Sequence, residues 1–240
     1  MEGRSAEASK AAEQLRIFLA PYVKQKADSP ELVSMLDYFS PTPILIMVRF
    51  HRWEELLKLP EPDHRLPISI VLWHFARGSA FARTGKVSEA ESELRSLIAA
   101  EKAIPSDTLY GLNGAGSVLK IAENVLTARV ALASGDRKSA AKYLRTAIDA
   151  EDELNYDEPP GWYMPVRETL GSVLMLSRDY TEAERVFRAD LEKHPRNARS
   201  LFGLVASLKA QGKQTDAQFV QNEFDTAWKG ADTSLRVEDF

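Results

Sequence analysis

The sequence contains no cysteine in 240 residues, which excludes a disulfide framework, thiolate chemistry and cysteine-ligated zinc. Histidine is nearly as scarce. His51, His64, His74 and His194 are the four present; none stands four residues from another, and neither HExxH nor Gly-x-Ser-x-Gly occurs. The longest apolar run, Ile44 to Val48, is far shorter than the roughly 20 residues of a membrane span. Charge of one sign is lacking too: 31 Lys and Arg against 35 Asp and Glu give a formal net charge of -4 and a pI near 5.7. Both signs are mixed along the chain, whereas phosphate binding needs clustered Lys and Arg. Catalysis, cofactor, metal, nucleic acid and membrane are therefore not expected. A cysteine-free chain suits a reducing cytoplasm, and that is the compartment expected, unless a missing upstream segment holds a signal sequence.

What is present is a repeated pair of small residues twelve positions apart: Gly78 and Ala90, Ala128 and Ala140, Gly171 and Ala183, and less perfectly Val205 and Ala217. Seven residues after each first member comes a turn, at Gly85-Lys86, Gly135-Asp136, Arg178-Asp179 and Gly212-Lys213. Two antiparallel helices approach closely only where facing side chains are small, and a helix ends readily where glycine takes the left-handed conformation. A repeated helical hairpin predicts an all-α solenoid. With 44% hydrophobic and 28% charged residues, the chain can bury the core of one elongated domain.

These residues resemble the tetratricopeptide repeat, whose small positions are the eighth and twentieth of a motif of about 34 residues. Phe81 stands at an aromatic site of the motif, Leu94, Leu144 and Phe187 at a large apolar site, Ala147 at a later small site and Pro195 at the terminating proline. Trp162 to Pro195 is the best copy. The resemblance covers most of residues 68–229 and implies an α-α superhelical array of antiparallel hairpins. From one first small residue to the next the chain runs 50, 43 and 34 residues, so two junctions carry insertions of roughly 16 and 9 residues over the motif period. The first holds Pro105 and Gly111 to Gly116, the second Tyr156 to Trp162. The final segment and Asp157 to Trp162 are also similar to the C-terminal part of large bacterial tetratricopeptide proteins.

Residues 1–67 read as partial repeats with a proline-rich linker, 68–229 as four hairpins and 230–240 as a tail. At the start, Gly3 and Ala8 have the spacing of a repeat's turn and second helix, so an array cut in its middle is expected, with self-association through residues 5–20 making a homo-oligomer. Pro30 suits the first turn of a helix carrying Leu32, Val33, Leu36 and Phe39; Pro41 and Pro43 break it before Ile44. His51-Arg52-Trp53 takes the turn position, and Glu54 to Leu59 forms a short helix.

Several constellations have a structural and a functional reading. Gly111-Leu-Asn-Gly-Ala-Gly116 lacks the preceding strand and following Lys-Ser/Thr of a phosphate loop and reads as a flexible inter-repeat loop. Glu151 to Glu158 lacks calcium-loop alternation and reads as a solvated helix end. Trp162 and Tyr163 either staple a helix or anchor a ligand; His74, beside Trp73 and Phe75, is either a helix spacer or a metal ligand. The resemblance implies a groove lined by the first helix of each hairpin, with Phe75, Arg83, Arg129, Glu168, Arg199, Phe202 and Lys209 facing it. Ser79, Arg129 and Ser172 stand where some family members place residues that grip a chaperone's terminal carboxylate, so that activity is not expected. The expectation is a non-catalytic scaffold that binds a protein or peptide partner in an apolar groove with scattered positive charge. Its alternatives are a metal- or small-ligand-binding protein or enzyme using His74 and the loop at Trp162, and a capping fragment that forms oligomers.

Overall fold

The computed structural model describes residues 2–24 and 29–240, and the fold is all-α. The chain forms two compact units, Glu7–Met164 and Met1–Ala6 with Pro165–Phe240.

The larger unit holds α1 (Ser5–Lys24, which starts in the smaller unit), α2 (Pro30–Phe39), α3 (Thr42–Arg49), α4 (Trp53–Leu56), α5 (Pro67–Arg83), α6 (Val87–Lys102), α7 (Ala115–Ala133) and α8 (Arg137–Asp152). α5 packs on α6 and α7 on α8 as hairpins, and α5 packs on α7, first helix against first helix. Pro30 opens α2 behind the Ser29 cap, whose side chain accepts from Leu32 N at 3.2 Å. Residues 30–49 are apolar and long enough together to cross a membrane. They are two helices parted at Ser40-Pro41, each well under the roughly 20 residues of a span. Leu36, Ile44, Leu45 and Val48 of this stretch are buried.

From Glu7 on, the segment before residue 67 belongs to the same compact unit as the first hairpins. Asp37 of α2, itself buried, accepts hydrogen bonds from Ile68 N at 2.8 Å, Ser69 N at 2.7 Å and Ser69 Oγ at 2.6 Å. Leu66, the residue before α5, offers no side-chain acceptor, so the carboxylate of a distant helix satisfies the orphan amides of the first turn. The divisions between the units fall after Ala6 and after Met164.

The two insertions are ordered and joined. Leu109–Tyr110 (β1) and Asn113–Gly114 (β2) pair antiparallel across Gly111-Leu112, in place of the expected flexible loop. Asn155 N donates to Asn113 Oδ1 at 2.7 Å, Asn155 Nδ2 to Leu112 O at 3.1 Å, and Leu112 N to Asp157 Oδ2 at 2.7 Å. Part of the acidic stretch thus clasps the glycine-rich turn. Gly111 has φ 64°, and a Cβ there would strike the Asp157 carboxylate and lie 2.8 Å from Tyr38. Only glycine fits. Trp162 is buried, donates its Nε1 hydrogen to Met164 O at 2.8 Å and meets the edge of Phe75 at 5.4 Å.

The smaller unit holds α9 (Val166–Leu176), α10 (Tyr180–Lys193), α11 (Ala198–Ala210), α12 (Gln214–Ala227) and a 3₁₀ turn at Val237–Asp239. α10 packs on α9 and α11, and α11 on α12. The Phe187 ring lies against both Gly171 and Gly203, where any Cβ would overlap it. At Gly78 in the larger unit the neighbour is Leu126 of the next hairpin, 2.8 Å from where a Cβ would stand. These glycines admit a bulky side chain; each is a socket as well as a point of close approach.

One turn recurs in both units. Its left-handed residue is His51 (φ 56°), Gly85 (76°), Gly135 (84°), Arg178 (62°) or Gly212 (75°). The next amide donates back to the helix each time: Arg52 N to Met47 O at 2.9 Å, Lys86 N to Phe81 O at 2.9 Å, Asp136 N to Ala131 O at 2.9 Å, Asp179 N to Leu174 O at 3.0 Å and Lys213 N to Leu208 O at 3.0 Å. This is the six-to-one bond of a Schellman ending. The His51 turn, read from sequence as the counterpart of the others, makes the same bond.

Candidate functional site

Of the residues expected to line a groove in the larger unit, Phe75 is fully buried. Because α5 packs directly on α7, the face that carries Phe75, Ala76, Ser79, Val125 and Leu126 is core. Arg83, at the end of α5, is exposed, and Arg129 on α7 is mostly buried. The Arg129 guanidinium carbon lies 5.2 Å from the centre of the Phe75 ring, a cation-π contact.

The electrostatics of Arg129 are unusual. Burial pushes its guanidinium down to about 10, and the like charges of Arg83 and Arg49 push the same way. Among the described residues no carboxylate acts against them. Among the described residues its Nη1 is sealed from solvent and has no hydrogen-bond acceptor. An unneutralised buried cation is costly, and such groups are ordinarily paired.

His74 is committed locally. Its Nδ1 lies 2.6 Å from Glu93 Oε2 across the α5–α6 hairpin, and Arg77 Nε donates to Glu93 Oε1 at 2.7 Å. Arg77 also lies over the Trp73 ring at 4.6 Å. Among the described residues no three or more His, Cys, Asp or Glu gather as a metal site would require.

In the smaller unit two of the expected groove residues, Glu168 and Arg199, belong to a buried polar network. Asn197 Nδ2 donates to Glu168 Oε1 and to Asp190 Oδ2, each at 2.7 Å. Ser200 Oγ donates to Asp190 Oδ2 at 2.5 Å, and His194 Nδ1 lies 2.9 Å from Asp190 Oδ1. Arg199 Nε stands 3.2 Å from Glu168 Oε2, an ion pair by distance although the N–H is not aimed at that oxygen. Lys209 is exposed and bonds Gln221 at 3.2 Å.

The chain's own residues 235–240 cover part of this face. Ser172 Oγ donates to Val237 O at 2.6 Å and Arg199 Nη2 to Asp239 O at 2.5 Å. The Phe240 ring lies 4.8 Å from the Arg199 guanidinium, 6.0 Å from Phe202 and 6.4 Å from Phe187. Sequence reasoning took 230–240 as a plain tail; the alternation Leu235, Val237, Asp239 was its only signal. It also missed Asp37, Asp190 and Asn197, whose roles depend on which distant amides they meet. No protein-family model, curated protein or solved structure matches this chain.

Proposed function

We propose that the chain is a non-catalytic scaffold of tetratricopeptide-like hairpins that binds an acidic peptide segment of a partner protein. The observation that carries this reading is Arg129: a mostly buried guanidinium over the Phe75 ring, pushed down by burial first and by the like charges of Arg83 and Arg49 second, with Nη1 lacking an acceptor among the described residues. A carboxylate delivered by a ligand supplies the missing charge, and Arg83 and Arg49 draw it in. Free protein carries the desolvation cost, and the complex recovers it.

The test is a titration by fluorescence polarisation with a labelled peptide of alternating Glu and Leu, against the parent chain and Arg129→Met. Binding should be weakened about tenfold or more in the variant and should fall with salt. Equal binding by both proteins defeats the reading.

A second reading rests on α1, where Ile17 and Phe18 are 58% and 61% exposed and the Phe18 ring lies tilted at 5.6 Å from that of Tyr22. Such a patch on an amphipathic helix suits self-association. Sedimentation velocity should show mass rising with concentration, and the pair Ile17→Lys with Phe18→Lys should abolish the rise. Concentration-independent monomer in the parent defeats this second reading.

A further inference from the structure

We infer that Arg49, Arg83 and Arg129 form a phosphoryl-binding cluster, and that the acidic group they prefer is a phosphorylated side chain of the partner peptide over a carboxylate. This deepens the scaffold reading and rests on it, since Arg129 belongs to both.

The three arginines come from three helices of the larger unit that pack in sequence, α3 on α5 and α5 on α7. Each of these helices runs into the recurring left-handed turn, at His51, Gly85 and Gly135. Arg49 and Arg83 stand two residues before the turn residue, and Arg129 stands six before it. The difference of four is about one helical turn, so Arg129 lies on the corresponding face of its helix, one turn further in. The like charges of Arg83 and Arg49 both reach its guanidinium. Arg83 is exposed, Arg49 half-buried and Arg129 mostly buried, so the cluster opens to solvent at Arg83 and closes on Arg129.

Helix ends account for two of the three. Arg49 and Arg83 close α3 and α5, where a cation complements the negative end of the helix, and each has a partner besides. Arg129 sits a turn inside α7, its guanidinium over the Phe75 ring and its Nη1 without an acceptor among the described residues. Charge decides which ligand completes the cluster. A carboxylate brings one negative charge and two oxygens, whereas a phosphate monoester brings about 1.5 to 2 charges at pH 7 and three acceptor oxygens. Three guanidiniums from three helices match the second, because each planar fork can bond phosphate oxygens in pairs. With Arg83 in solvent, where ion pairs are weak, a bare phosphate ion is held poorly, and the chain that carries the phosphoryl group adds contacts of its own.

The experiment compares two labelled peptides of alternating Glu and Leu, identical except that one carries phosphoserine in place of a central Glu, by fluorescence polarisation on the full chain. The phosphoserine peptide should bind the parent about tenfold more tightly than the Glu peptide. Arg83→Gln, at an exposed position that leaves the core intact, should cut that preference to about threefold or less, and Arg49→Gln should do the same. Inorganic phosphate should displace the phosphoserine peptide only in about hundredfold excess or more; displacement at equal concentration makes this a free-anion site and overturns the assignment to a peptide. Equal affinity for the two peptides, or a preference that survives both substitutions, overturns the inference and leaves the acidic-peptide reading standing. Undiminished binding of the Glu peptide by Arg129→Met defeats that reading, and this one with it.

Discussion

Asn113 and Asn155 join the two insertions of the larger unit through one side chain facing one backbone. Asn113 Oδ1 accepts from Asn155 N at 2.7 Å while its Nδ2 donates to Asn155 O at 3.3 Å. The amide side chain thereby imitates a strand. Asn113 is buried, so Asn113→Ala strands a backbone donor and should cost about 2–3 kcal/mol. Urea denaturation measures this; a change within about 0.5 kcal/mol would mean that the clasp is ornamental.

Gly111→Ala attacks the same clasp from the other side. The left-handed φ disfavours alanine by about 1–2 kcal/mol, and the added methyl displaces Asp157 from Leu112 N. Loss of stability beyond the Gly-to-Ala backbone effect is expected, with Gly85→Ala, at a turn with open space around it, as the control. Equal losses at both positions would show that Asp157 contributes nothing.

Arg178 occupies the position that glycine holds at three sister turns and is exposed. Arg178→Gly relieves the left-handed strain, partly offset by the greater freedom of an unfolded glycine. A gain of about 0.5–1 kcal/mol is expected, read as a higher midpoint in thermal unfolding. A lower midpoint would assign Arg178 a contact that compensates its strain.

Glu93 should make stability depend on pH. Burial raises its carboxyl, but hydrogen bonds from His74 and Arg77 outweigh that and hold the group below the ordinary carboxylate range. A carboxyl lowered in the folded state gives stability that is complete above its unfolded value and lost as pH falls through the folded one. Glu93→Gln should thus be less stable than the parent near neutral pH, with the gap closing toward about pH 3. Urea curves at the two pH values check it. A gap of constant size would mean that the side chain acts by packing alone.

The hairpins were legible because their causes are local. Pro30, the small-residue pairs and the turn at His51-Arg52 act within a few residues of themselves, and sequence displays such relations directly. What Asp37, Asp157 and the segment 235–240 do was not legible, since each acts through amides or side chains 31 to 65 residues away. Phe75 was misplaced for a related reason. A first-helix position faces a groove only if the next first helix does not cover it, and α7 covers α5 here. Position alone places Arg129 in the expected groove; the lack of an offsetting carboxylate among the described residues is a property of three-dimensional surroundings that no spacing encodes.

Phe187 is pinned between two bare backbones, at Gly171 on one side and Gly203 on the other. Its ring consequently acts as the spacer that sets the separation of α9 and α11. A slimmer residue at 187 should let those helices close up, and a methyl on either glycine should prise them apart. The aperture that receives residues 235–240 is thus governed from behind, and a lineage that altered its width would carry the change at residue 187 or its two glycines, leaving Ser172 and Arg199 as they are.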